Sequence, residues 1–518
     1  MVAIQAGTYT DPAIRANAGC GKETGAPVTF SPAPGASVTI EGELTLGSNS
    51  GSSQNQAPSE LTFDGAHRLT IHGGVWSWYQ SAYPRNITFE NLRVWHTDAA
   101  SDGDLFGIPG DSATIKNVEI GPVCCSSSGI DIGRPAAATR DPRNVVIDHV
   151  YVHDVVRDCR DLAPKYQAGC NDTNNGNHVD GLHIWGADGL SITDSRWLNL
   201  SGQVLYLEGV NHGQFNDVLI KNNMIASSGG EPLVVVTSSD DVYGPSYPLI
   251  TGYMKVVHNT IDGGLDFEGG ALPSNQWAGP NAHVTVAGNI GQLEMPCQQL
   301  TGTWTWDSNM WSNARCPGDA PSGRPQFVDG SGSNYNLHLT RASNGIGRGP
   351  VETSPDVDLD GHLRPVGFRS DAGASQRETA AVRAGRSVGA VSLGESRGDI
   401  VAFYGDPTRT STARVSGTSA RVRVSRYRLH GGWLNVSFAP DQKVVGVWTS
   451  SPFYRGSGVV SVGSPAVAPS FSTKRTPGCV YVKRSRVYYA IAGTRRPRVS
   501  SLGVYKAPFA PQCPRPHK

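Results

Sequence analysis

"SATIKNVEI" (112–120), "NVVIDHVYV" (144–152), "GLSITDSRW" (189–197) and "DVLIKNNMI" (217–225) share one pattern. Apolar and polar side chains alternate, as they do along a strand with one buried face. Further copies are "NITFENLRV" (86–94), "YMKVVHNTI" (253–261) and "HVTVAGNI" (283–290), with starts 26, 32, 45, 28, 36 and about 30 residues apart. Between them run "DLFGIPG" (104–110), "SGIDIG" (128–133), "DGLHIWG" (180–186), "QVLYLEG" (203–209), "PLVVVTS" (232–238) and "GLDFEGG" (264–270). The two sets alternate along the chain. Short strands repeating at a loose period describe a parallel solenoid, in which each coil buries its apolar row on the next and loops absorb the irregular spacing. An asparagine-like residue recurs at one place: Asn91, Asn117, His149, Asp194, Asn222 and His258. A sandwich of alternating strands gives no reason for that recurrence.

Composition agrees. The chain has 518 residues, 62 Gly, 34 Pro and only 17% charged residues, which favours turns over helix surface. Charge is zero in total and very uneven in place. Residues 380–518 hold 22 Lys and Arg against Glu395, Asp399, Asp406 and Asp441, leaving 22 basic and 40 acidic residues before them. A shift from about −18 to about +18 marks a domain boundary. The expected organisation is a β-helix over 1–378, a linker over 379–387 and a basic α+β domain over 388–518. In that last region "VGAVSLGESRGDIVAFYGDP" (388–407) reads as strand, short helix and turn, and "RVRVSRYRLHGGWLNVSFAPDQKVVGVWTSS" (421–451) as a three-stranded meander.

On these residues the chain resembles the right-handed parallel β-helix proteins of the pectin-lyase-like superfamily, from about residue 2 to 378. "VAIQAGTYT" (2–10) resembles a first coil, and the stretch 326–376 resembles the closing segment of secreted bacterial members. The C-terminal domain resembles, more weakly, secreted modules of the β-lactamase-inhibitor-protein type. The resemblance implies an all-β solenoid followed by a small α+β domain. It leaves the reaction open, because folds host many chemistries.

Nine cysteines include the local pairs Cys159 with Cys170, Cys297 with Cys316 and Cys479 with Cys513. These read as disulfides of an oxidising compartment. The chain opens directly on "MVAIQAGTYT" with no export signal, so secretion is expected with the signal removed or missed. No apolar run reaches the ~18 residues of a membrane span.

Stacking the second set of strands places Asp131, His183, Tyr206 and Asp266 in one outward row and Gly133, Trp185, Glu208 and Glu268 in the next. Strands ~4.8 Å apart bring such neighbours into contact. Asp180 stands at the edge of this patch. The long segment 156–178 brings Arg157, Arg160, Lys165, Tyr166 and His178 to its rim, and 133–143 brings Arg134 and Arg140. The catalytic candidates are therefore Asp131, Asp180, His183, Tyr206 and Glu208. The substrate-binding candidates are Trp185, Lys165, Arg157, Arg160, Arg134 and His178. "HVDG" (178–181) resembles the "NTDG" motif of polygalacturonases, with Asp180 on the catalytic aspartate, but Gly202 and Gln203 stand where that family has an Asp-Asp pair.

The expected activity is cleavage of a polysaccharide, with β-elimination slightly ahead of hydrolysis and non-catalytic glycan binding as the further alternative. Elimination needs a base such as His183, Tyr206 or Lys165 and a neutraliser of the uronate charge, either arginine or Ca²⁺. Asp131, Asp180 and Glu208 are the calcium-ligand candidates, as hard oxygen donors on one face. Hydrolysis needs two carboxylates, which the same three supply. The basic domain is expected to bind an acidic glycan or cell-wall polymer. No nucleic-acid partner is expected, and the chain reads as a monomer. No GxGxxG after a strand, P-loop or GxSxG motif is present.

Overall fold

The computed structural model describes residues 1–506 apart from a set of segments, the longest of which are 15–26, 47–57, 168–178, 239–247, 268–277 and 294–302. Contacts divide the chain into two units, Met1–Thr353 with Asp371–Ser375, and Ser354–Ser370 with Gln376–Lys518.

The first unit is a parallel β-helix. Each coil contributes a strand to each of three ladders. The first ladder has eleven strands, from Val2–Ile4 to Thr303–Asp307, all parallel. The second and third join into one nineteen-stranded sheet. The second includes Leu69–His72, Arg93–His96, Glu119–Cys124, Tyr151–Val156 and Arg196–Leu200. The third includes Val75–Ser77, Phe106–Gly107, Ile130–Ile132, Leu182–Ile184, Leu205–Gly209 and Val234–Ser238. The strand Thr260–Asp266 belongs to both.

Each nine-residue repeat, which reads as one strand in sequence, is two. The recurrent Asn-like residue divides it. Asn91, Asn117, His149, Asp194, Asn222 and His258 all have φ between 51° and 56°. This left-handed conformation turns the chain from the first ladder into the second. Asn and Asp tolerate it best among non-glycine residues, because their short side chains bond locally. The recurrence is thus a backbone requirement of the corner.

Inward residues form one continuous core. Ile130, Leu182, Leu205 and Val234 stack from coil to coil, as do Ile132, Ile184, Leu207 and Val236, and every one is buried. Each such side chain contributes roughly 1.5–3 kcal/mol on burial. Phe30, Phe63 and Phe89 stack at 5.2 and 4.9 Å inside the first ladder. A buried amide ladder runs beside the corner. Asn223, Asn259 and Asn289 each donate to the next asparagine's Oδ1 at 2.9–3.0 Å, ending on Asn309, which donates to Asp319 at 2.7 Å.

The second unit is built on an eight-stranded antiparallel sheet. Its helix, Arg397–Tyr404, starts in a capping box between Ser396 and Asp399, which satisfies two amide donors at the helix start. The meander expected from sequence is present as Arg421–Leu429, Gly432–Phe438 and Val444–Thr449. The segment expected as a linker is different. Val382–Arg383 and Ser387–Val388 pair as strands, and Ala380, Val382 and Val388 are buried in this unit's core. Gly and Arg in that stretch suggest solvent, but the alternate apolar residues face the sheet.

Candidate functional site

The outward row of the third ladder is Trp76, Gly107, Asp131, His183, Tyr206 and Val235, one residue per coil. Register therefore brings Asp131, His183 and Tyr206 side by side, as the strand pattern implies. Asp266 falls one coil further than expected, beyond Val235, and is buried. At this position the intervening coil carries an apolar residue, Val235, and its polar side chain, Thr237, falls in the next row opposite Glu208.

His183 is the centre of the row. Its Nε2 lies 2.8 Å from Glu208 and its Nδ1 3.4 Å from Asp131. The ring is 8% exposed. Burial alone would lower its pKa. Hydrogen bonds to Asp131 and Glu208, with the charges of Asp131 and Asp180, more than offset burial and push it up to about 10. His183 is therefore an imidazolium at neutral pH, and it has no lone pair to accept a proton. The sequence-level role of His183 as a base does not survive this geometry. Its two flanking carboxylates hold its protons in place.

Asp180 sits at the strand's entry and is 1% exposed. It faces Gly202, where an added Cβ would come within 3.1 Å of its carboxylate. Its charge adds to the rise in the pKa of His183. Tyr206 lies over His183 with ring centroids 5.0 Å apart, and Trp185 is 6.1 Å away on the other side. Trp76 adds an aromatic surface that sequence reasoning did not single out. A Cβ at Gly107 would meet its ring at 2.8 Å, so the glycine leaves room for the indole to lie across that coil. The signal was available: Trp76 and Gly107 sit at the same outward position as Asp131.

The rim residues are less gathered. Arg160 is exposed and bonded to Asp158, two residues away. Arg157 is half-buried. Arg140 pairs with Asp111. Lys165 lies in the short helix Pro164–Gln167. Arg134, His178 and Glu268 lie outside the described residues, as does Cys170, the expected partner of Cys159.

No protein-family model matches the chain, and no curated protein does. Among solved structures it is similar to the crystal structure of pectate lyase Pel9A, at 15% identity and a TM-score of 0.31, over 72% of this chain and 86% of that one. The chemistry of the site is read from its own residues.

The calcium expectation does not fit them. Calcium takes six to eight oxygens around one point. Here Asp131 and Glu208 lie on opposite edges of a cationic ring. Among the described residues, the acidic groups whose ligand atoms converge are Asp148, His149 and Asp194, and Asp358, Asp360 and His362. The first group is internally satisfied: Asp148 binds Thr193 and Lys116, and Asp194 binds Asn222 and Lys221.

A second concave surface lies on the second ladder. A groove of about 620 Å³ is lined by Thr70, Arg93, Glu119 and Tyr151, with His67 and His149 at the corner. Tyr151 stacks on His153 at 4.5 Å. His153 is pinned between Asp154 at 2.8 Å and Glu119 at 3.4 Å. Burial opposes its charge, but these two carboxylates raise its pKa overall. The arrangement repeats the clamp around His183 on a neighbouring face.

Proposed function

We propose that the outer face of the third ladder is the cleavage site of a polysaccharide-active enzyme, and that it works by hydrolysis. The observation that carries this reading is the His183 clamp. Two carboxylates are held on opposite edges of one imidazolium, at 2.8 and 3.4 Å. Glu208 and Asp131 are thereby fixed on either side of one ring, and hydrolysis needs two such carboxylates. Glu208 and Asp131 serve as acid and base, with the assignment between them open. Tyr206, Trp185 and Trp76 supply apolar faces for sugar rings. Asp180 and His183 hold the pair in position.

Elimination becomes the lesser reading for two physical reasons. His183 is already protonated, so the base would fall to Tyr206 or Lys165. Asp131, Asp180 and Glu208 outnumber the single imidazolium, so the site repels a polyuronate and suits a neutral glycan. We also place the protein outside the cytosol, acting as a monomer. The local cysteine pairs Cys159 with Cys170 and Cys297 with Cys316 support an oxidising compartment. No helix among the described residues is long and apolar enough to cross a membrane.

The test is incubation with neutral and acidic polysaccharides, reading reducing ends and absorbance near 235 nm together. Reducing ends without absorbance are expected. Glu208→Gln should then lower kcat about a hundred- to ten-thousand-fold, the usual contribution of general acid–base catalysis. Rising absorbance would instead establish elimination and move the base to Tyr206 or Lys165. Glycan binding without either product would make the face a recognition surface.

A further inference from the structure

The second unit carries a cationic and aromatic strip that cleavage does not use. Register fixes it. Arg409 lies directly opposite Arg426, and Arg428 opposite Trp433. Asn435 pairs with both Arg426 and Trp448, so Trp448 shares their face. Trp448 pairs with Gly503, and Gly446 with Tyr505, which carries the same face onto the next strand. The Arg426 guanidinium lies 4.5 Å from the Trp433 ring. The Tyr505 ring lies over Gly446, where a Cβ would meet it at 2.4 Å.

Two features of this strip work against stability. Like charges directly opposite on neighbouring strands repel, and Arg409 faces Arg426 in that way. Among the described residues no carboxylate pairs with Arg409, Arg426 or Arg428. Arg409 and Arg428 are exposed, while Trp433, Trp448 and Tyr505 are half-buried. Arginines that repel one another and lack acidic partners are satisfied by an external polyanion, whose carboxylates or phosphates accept their forked donors. Aromatic rings between them offer planes for sugar rings.

We propose that this face binds an acidic polysaccharide and tethers the enzyme to it. Preferring a glycan to a nucleic acid rests on the carbohydrate reading of the β-helix. The charge asymmetry of the chain gives the division of labour. The acidic first part suits a neutral substrate, and the basic second part grips a polymer that the first part would repel.

The experiment uses the whole chain and two probes, polygalacturonate and a single-stranded 30-mer DNA, by calorimetry at low and high NaCl. Polygalacturonate is expected to bind, more weakly as salt rises. The double variant Arg409→Gln/Arg428→Gln should weaken it at least tenfold, with Tm unchanged or raised because a repulsive pair is gone. Trp433→Ala should weaken it without changing the salt dependence. Undiminished polygalacturonate binding in the arginine double variant would overturn the proposal. So would DNA binding that is tighter than glycan binding and depends on the same arginines. Failure of the hydrolytic reading shows separately, as absence of products with arginine-dependent binding intact.

Discussion

His183→Ala is expected to abolish turnover and to cost the fold several kcal/mol. The side chain is a buried cation between buried or half-buried carboxylates. Removing it leaves Asp131, Asp180 and Glu208 facing one another without a counter-charge. Breaking one partner out of a buried ionic arrangement costs about 3–5 kcal/mol. Catalysis fails for a different reason: the spacing of Asp131 and Glu208 is set by the ring between them. A pH experiment separates this from mere loss of packing. The folded pKa of His183, about 10, lies above the 6.5 of an ordinary histidine. The native state therefore holds a proton that the unfolded chain releases. The resulting stability is complete below pH 6.5 and is lost as pH rises towards about 10. His153 titrates in the same direction, so the measurement is a difference. Melting temperature between pH 6 and 10 should fall more steeply in the parent than in His183→Gln. Parallel curves would show that His183 is neutral in the fold, and would sink the imidazolium clamp.

The legible parts of this protein are those that repeat. Alternation showed the strands, and the recurrence of Asn91, Asn117 and His149 pointed to a solenoid, although the corner that these residues form is visible only in their left-handed backbone. Asp131, His183, Tyr206 and Glu208 were accessible for the same reason: outward positions on adjacent coils are fixed by counting. The protonation state of His183 was not accessible. It depends on which ring edge meets which carboxylate, at distances of 2.8 and 3.4 Å. Arg93 and Glu119 likewise hold one position of successive repeats, and His153 joins them from one residue beyond the third. On the second unit, the charge imbalance showed a basic domain. Only cross-strand register showed that Arg409 meets Arg426 rather than an acid.

One repeat was visible and passed over. The residue after the corner is asparagine in "NN" (222–223), "HN" (258–259), "GN" (288–289) and "SN" (308–309). These second asparagines form the internal amide ladder, and Asn259 is its middle rung. Its Nδ2 donates to Asn289 at 3.0 Å and to the Ile220 carbonyl at 2.9 Å. Its Oδ1 accepts from the Asn223 backbone at 3.0 Å and side chain at 2.9 Å. The residue is fully buried. Asn259→Ala therefore deprives several buried groups of a partner at once. Each unsatisfied group costs ~1–3 kcal/mol, so a total loss of about 3–5 kcal/mol is expected. Asn309→Ala should cost less, since Asp319 keeps Trp311 and the Cys316 backbone and Asn289 keeps the Val256 carbonyl. Aspartate is no substitute at 259, because it cannot donate to Asn289 or Ile220. Urea unfolding, with hydrogen exchange at the amides of 223, 259 and 289, reads the effect. A loss below ~1 kcal/mol would mean that water enters and replaces the rung. A large loss with exchange spreading to neighbouring coils would show that the amide ladder, together with the aliphatic stack, keeps the coils in register.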